Sequence, residues 1–251
     1  LDSQLFYHAE PRAGIECLNI LAPREPYVCI GLHQDAEQEV DLEKCKSLGI
    51  PVFRREVGGG AVYLDGRQIF FQLVLHRDNP LAAGNKLEFY RRLLAPVVQT
   101  YDDLGVPSRF KPVNDIVTEK GQKISGTGVA EIEDYIILVG NLIADFDYET
   151  MVQILRVPDE KYRDKIYSSM YENLSTLKRE TGKDFSIEEL APPLIKHFAD
   201  LLGTLEESEI PDSVCAKRDE IRESYLLEDW LFRKGKKSRA ERELKIAGDI
   251  Q

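Results

Sequence analysis

The chain has 251 residues, with 33 Lys and Arg against 44 Asp and Glu, a formal charge of −11 and a sequence pI near 5.0. That sign disfavours a general phosphate-backbone binder, and the length suits one large domain that buries a core without disulfide staples. A hydrophobic share of 43%, a charged share of 31%, 17 Gly and 12 Pro exclude collagen-like, low-complexity and bulk-disordered chains.

Strand-like runs rich in Val, Ile, Phe and Tyr are expected over Tyr27 to Gly31, Pro51 to Arg55, Ala61 to Leu64, Phe70 to His76 and Tyr135 to Phe146. Helical signals alternate with them. Asp41 is placed to cap a short helix ending at Gly49, and Leu87, Tyr90, Leu93, Leu94, Val97, Val98 and Tyr101 recur at helical spacing, with a kink expected at Pro96. Ser186 and Glu189 form a capping box ahead of the apolar stripe Ile187, Leu190, Leu194, Ile195, Phe198 and Leu201. The expectation is an α/β (α+β) protein, one mixed sheet with helices against it.

The run Tyr135 to Ala144 is about half a membrane span, and acids bound it on both sides. The opening LDSQLFYHAE has no basic n-region, apolar h-region or small-residue cleavage site, so a cytoplasmic location is expected. Cys17, Cys29, Cys45 and Cys215 form no C-x-x-C pair and have no His at ligand spacing, which favours reduced thiols in packing positions over zinc. His8, His33, His76 and His197 are likewise scattered. From Val214 to Lys245 ten Lys/Arg face seven Asp/Glu, a basic piece on an acidic chain. Gly235 to Arg239 reads as a solvated linker before a strand-like ELKIAG, which cannot form a core alone.

Two segments carry chemistry. In Arg54-Arg55-Glu56-Val57-Gly58-Gly59-Gly60-Ala61, three glycines between β-rich runs let main-chain N–H groups approach a ligand, and the arginines offer charge to a carboxylate or phosphate. Neither G-x-G-x-x-G nor G-x-x-x-x-G-K-[ST] is present, so a nucleotide would have to be held in another way. A hairpin loop with surface arginines is the structural alternative. Asn114 to Gly128 reads as a strand, a turn at Lys120-Gly121, and a return strand whose Lys123 precedes Ser125-Gly126-Thr127-Gly128. A lysine among small residues can set a point charge against a transferring group; an exposed hairpin lysine is the alternative.

Together, RREVGGGAVYLD and NDIVTEKGQKISGTG, with the order and spacing of their boxes, resemble the lipoate-protein ligases of the biotin/lipoate ligase superfamily over roughly residues 1–230. The resemblance implies a class II-synthetase-like catalytic domain that uses ATP and Mg²⁺ to convert lipoate or octanoate to an acyl-adenylate, then acylates an acceptor lysine. It implies that Arg54, Arg55, Gly58, Gly59, Gly60, Ala61, Ser125, Gly126 and Thr127 bind lipoate or lipoyl-AMP. Asn114, Asp115 and Lys123 would meet the nucleotide, with Asp115 at the metal and Lys123 catalytic.

Implied partners are an E2 lipoyl domain, a glycine-cleavage H protein or an H-like lipoate-binding protein. The division implied is residues 1–229 as catalytic domain and 230–251 as the start of an accessory domain, truncated or completed by a second chain. The cysteine-using octanoyltransferases of the superfamily most like the ligases carry their nucleophile a little upstream of the lysine box, and Phe110 to Lys123 contains no cysteine. The chain departs from the family pattern at Glu56-Val57, where Ser or Thr is usual, at Leu64-Asp65 and Arg67-Gln68, and in having no base between Lys123 and Arg156. An ATP-independent acyltransferase, a biotin-protein ligase and a non-catalytic lipoyl-binding module remain the alternatives.

Overall fold

A computed structural model describes residues 2–157 and 159–233. Two sheets are present where one was expected. The larger has six strands in the order β1 (Cys17–Leu21), β5 (Gln68–His76), β9 (Tyr135–Ile143), β8 (Lys123–Ile132), β7 (Asp115–Thr118) and β6 (Ser108–Lys111), all antiparallel. The smaller places β2 (Tyr27–Ile30) between β3 (Val52–Arg54), parallel to it, and β4 (Val62–Leu64), antiparallel. The separation follows from burial: β2 is buried at every position, so it needs cover on both faces and cannot continue a half-solvated sheet.

The long sheet is covered on one face by the helices Lys86–Leu93, Ala95–Asp103 and Ile187–Leu202, whose Leu93, Leu94, Val97, Tyr101, Leu194 and Phe198 meet Phe71, Leu138 and Leu142. Pro96 ends one helix and starts another instead of kinking a single one, because its ring occupies the first turn, where no N–H is needed. The capping boxes at Ser186/Glu189 and Asn85/Glu88 both form. On the opposite face Tyr7 of the helix Asp2–Arg12 joins Val57, Val74, Ala130, Ile132 and Ile137.

No helix among the described residues is long and apolar enough to cross a membrane. The Gly235 to Arg239 linker and the ELKIAG strand lie outside the described residues. The expected boundary at 229/230 falls inside a segment, Tyr225 to Arg233, that is bonded into the fold.

Candidate active site

Strand β8 changes partner halfway along. Lys123 to Gly126 pair with β7, and Thr127 onward pairs with β9, so the sheet forks at Gly126. Asn114 closes the fork: its side-chain amide donates to the Thr127 carbonyl, while the Thr127 hydroxyl donates to the Asn114 carbonyl. Asn141 of β9 spans the gap by accepting the Gly126 N–H at 2.8 Å and donating to Gln68 at 2.9 Å.

A bulge then decides where the lysine points. The register runs Asp115↔Gly126 and Ile116↔Ser125, then jumps to Val117↔Lys123, leaving Ile124 as the extra residue. Without that insertion Lys123 would oppose Thr118 and face away from Asp115, because a one-residue slip exchanges the two faces of a strand. With it, Lys123 Nζ lies 2.6 Å from Asp115 Oδ1, both side chains being partly exposed. The bulge is held by Tyr101, whose hydroxyl donates to the Ile124 carbonyl at 2.6 Å, and by the Ser175 N–H, which donates to the Lys123 carbonyl at 2.7 Å.

Beyond the lysine the same face of β8 carries two glycines. A Cβ on Gly126 would lie 3.8 Å from Lys123 Nζ, and one on Gly128 would lie 2.4 Å from Val57 Cγ1. Gly126 therefore leaves room beside the lysine, while the missing side chain at Gly128 lets Val57 pack onto the strand and bring the glycine loop close to it. Ser125 and Thr127, expected to touch lipoate, belong to the other face: Ser125 is fully buried and donates to the Asn141 carbonyl, and the Thr127 methyl lies near Phe71 and Gly140. Only their main chain can serve the site.

The glycine loop is fixed by arginines rather than by a strand ladder. Arg55 donates to the carbonyls of Cys29, Gly58 and Gly60, and the Gly31 main chain approaches so closely that a Cβ there would be 2.1 Å from the Gly59 carbonyl oxygen. Gly59 adopts φ +104, a conformation suited to glycine. Positions 58 and 60 have open space above them.

Arg54 corrects an expectation. It is 2% exposed, and its guanidinium donates to the carbonyls of Gly31, Leu32 and Gln34 on one side and of Trp230, Leu231 and Arg233 on the other. With every N–H group engaged on main chain, it is a strut of the loop rather than a free cation for a carboxylate. Glu56 also turns aside: it accepts from the Tyr225 hydroxyl and lies 3.4 Å from His8 Nδ1 and 4.0 Å from Arg12. Burial lowers the His8 pKa despite Glu56, so the ring is neutral, while Glu56 stays ionised through its bonds to His8 and Tyr225 although burial opposes that. The sequence carries no signal for this cluster, whose members are up to 217 residues apart.

A cavity of about 720 Å³ opens beside Gly58 and Glu56, walled by Phe89, Tyr90, Ala130 and Trp230. It offers apolar surface on the side away from Lys123. None of the four cysteines is in a disulfide. Cys29 and Cys45 are buried, and burial raises the thiol pKa of Cys17 and Cys45, the latter to about 11, with Glu10 and Asp41 as secondary causes. None lies on the β7–β8 hairpin or the glycine loop.

Among the described residues no group of three His, Cys, Asp or Glu is placed to hold a metal. Asp115 alone fits the limited role of a carboxylate beside a magnesium ion that rides on nucleotide phosphates.

Comparison with known proteins places these features in context. Residues 1–199 match the family model of the lipoyl protein ligase A/B catalytic domain. The chain is 23% identical to an octanoyltransferase LipM of Carboxydothermus hydrogenoformans, over 93% of each chain. It superposes with TM-score 0.83 and 28% identity on a chain of an archaeal lipoylation system, described as a bi-partite lipoate protein ligase and its E2 lipoyl domain from Thermoplasma acidophilum, covering 95% of this chain and 94% of that one. A lipoate-protein ligase A bound with ATP superposes with TM-score 0.76 and 25% identity, covering 92% of this chain and 93% of that one.

Proposed function

The chain belongs to the lipoyl protein ligase A/B catalytic family, and on that premise we propose that it is an ATP-dependent lipoate-protein ligase. It activates lipoate, or octanoate less efficiently, to the acyl-adenylate and passes the acyl group to a lysine of a lipoyl-acceptor protein. The observation that carries this reading is Lys123 held at 2.6 Å from Asp115 beside Gly126, on a hairpin that bears no cysteine.

The chemistry needs little else. When a lipoate carboxylate attacks the α-phosphate of ATP, negative charge accumulates on the phosphoryl oxygens, and a fixed ammonium close by lowers the barrier. Lys123 supplies that ammonium, with Asp115 holding it in place until substrate arrives. The open faces of Gly58 and Gly60 let the carboxylate end meet main chain, and the cavity beyond offers the acyl chain Phe89, Tyr90, Ala130 and Trp230, with Lys86, Glu131 and Arg233 also lining it. With ATP bound, Asp115 would hold magnesium, and the ion would supply charge neutralisation on the triphosphate. The mixed anhydride persists only if water is kept out until the acceptor amine enters.

The acceptor is a lipoyl domain of E2 type, a glycine-cleavage H protein or an H-like lipoate-binding protein. The bi-partite neighbour supports a second chain that completes the accessory region here as well. A second reading, ATP-independent octanoyl transfer between carrier proteins, is favoured by the similarity to LipM. Release of pyrophosphate from ATP that requires lipoate or octanoate supports the ligase; its absence with a full set of acceptors overturns it.

A further inference from the structure

The glycine loop is tied on its N-terminal side, at two residues, to one short stretch near the end of the described chain. Arg54 clasps the carbonyls of Trp230, Leu231 and Arg233, and the Trp230 indole N–H donates back to the Arg54 carbonyl at 3.0 Å. Two residues later Glu56 accepts from the Tyr225 hydroxyl, and Tyr225 meets the Trp230 ring edge to face at 5.0 Å.

The stretch is also held along the first helix, where Tyr225 meets the His8 ring at 4.7 Å and Arg218 lies over the Phe6 ring, and Leu231 packs against the core of the small sheet. In the helix Asp212–Leu226 only Val214 is buried, and in Glu228–Leu231 nothing is. Leu226, Leu227 and Phe232 are 48%, 57% and 40% exposed. With so few fully buried apolar side chains, its bonds to the glycine loop are part of what retains it.

The far side of Arg54 shows what the clasp does. The same guanidinium holds Gly31, Leu32 and Gln34, and Gly31 is the main chain on which the Gly59 carbonyl rests. Pulling Trp230 to Arg233 away strips half the partners of Arg54 and frees the corner under Gly59. Breaking the Tyr225 bond at the same time removes a donor from the partly buried Glu56 carboxylate immediately before Val57.

We propose that Tyr225 and Trp230 are positioning residues for the acid-binding loop, holding Gly58 to Gly60 ready for lipoate through Glu56 and Arg54. The affinity of the site for the acyl substrate is thereby coupled to the state of the Tyr225 to Arg233 segment. This rests on the ligase reading for the identity of the ligand, whereas the mechanical coupling does not. Tyr225→Phe keeps its ring, Trp230→Phe keeps a smaller aromatic ring, and each removes one donor, so loss of the fold is not the expected outcome.

The test is made on the full chain well below its melting midpoint. Hydrogen exchange is followed for the amides of residues 57–61, with calorimetric lipoate binding and the KM values for lipoate and ATP in parallel. Each variant should speed exchange in the loop and weaken lipoate binding about tenfold, the consequence of losing one partly buried hydrogen bond. The KM for ATP and kcat should stay within twofold. If loop exchange and lipoate affinity both match wild type, or if only the melting temperature falls, the coupling is wrong. If the loop loosens but wild-type protein forms no acyl-adenylate, the positioning stands and the ligase reading fails.

Discussion

The two halves of the site are rigidified by opposite means. The lysine hairpin is a regular ladder interrupted once, and the bulge at Ile124, pinned by Tyr101 and Ser175, puts Lys123 on the Asp115 face. The glycine loop has no ladder and depends on side chains reaching carbonyls from outside, chiefly those of Arg54 and Arg55. A ladder gives directional certainty to a single charge, whereas a clasped loop leaves bare main chain open to a ligand and can be released.

That contrast can be broken from either side. The largest expected effect is on the lysine: Lys123→Ala should fold normally yet lose acyl-adenylate formation by roughly 10² to 10³, about 3 to 4 kcal/mol, because the charge acts on the transition state. Near-normal pyrophosphate release by this variant would remove Lys123 from the chemistry. Next comes the clasp: Arg54→Gln should cost about 3 kcal/mol of stability in urea unfolding, since several buried carbonyls lose their donor together. A loss below 1 kcal/mol would mean that water replaces the guanidinium.

Glycine substitutions sharpen the comparison. Gly60→Val meets open space and should abolish lipoate binding with an unchanged melting temperature, whereas Gly31→Ala drives a Cβ onto the Gly59 carbonyl and should cost about 1–3 kcal/mol through overpacking. Gly59→Val is a poor probe because positive φ would strain any branched residue there. Calorimetry and thermal melts on the first pair decide between a binding loop and an inert one.

The smallest effect concerns pH. The His8 pKa is lowered in the fold by burial, so the unfolded chain takes up its proton first. Stability should therefore fall as pH drops through the unfolded value of 6.5 toward the folded one, by at most about 1.4 kcal/mol per pH unit, and His8→Gln should flatten that slope. Glu56, whose folded pKa is depressed, adds a separate loss only below its ordinary value of 4.5. An identical slope in wild type and His8→Gln would show that the ring carries no such linkage.

Much of the frame was legible because it is local. Runs rich in Val, Ile, Phe and Tyr marked five of the nine strands among the described residues, and the Lys120-Gly121 turn marked the hairpin joining two more, β7 and β8. The edge strands β1 and β6 were not, being short, with no position buried in either. The two boxes were readable, but not which of their residues face the ligand. Arg54 and Arg55 look equivalent as letters; only burial against Trp230, 176 residues away, turns one into a strut. Ser125 and Thr127 look like site residues until the strand's two-residue period puts Gly126 and Gly128 there instead. The bulge is invisible in the sequence because nothing in KIS announces an extra residue, and the single sheet expected from the strand count divides because β2 needs cover on both faces.

The ligase reading also makes a prediction about an acyl-cysteine route. Cys29 lies in β2, where its carbonyl accepts from Arg55, and Cys29→Ser should leave turnover intact with the fold retained. The most direct test of the whole account is the mass of an isolated E2-type lipoyl domain after incubation with this protein, lipoate, magnesium and, in one arm only, ATP, with the partner chain added if one is required. The ligase account predicts a gain of one lipoyl group in the ATP arm alone. Acyl transfer from a carrier protein without ATP, abolished by Cys29→Ser, would contradict it.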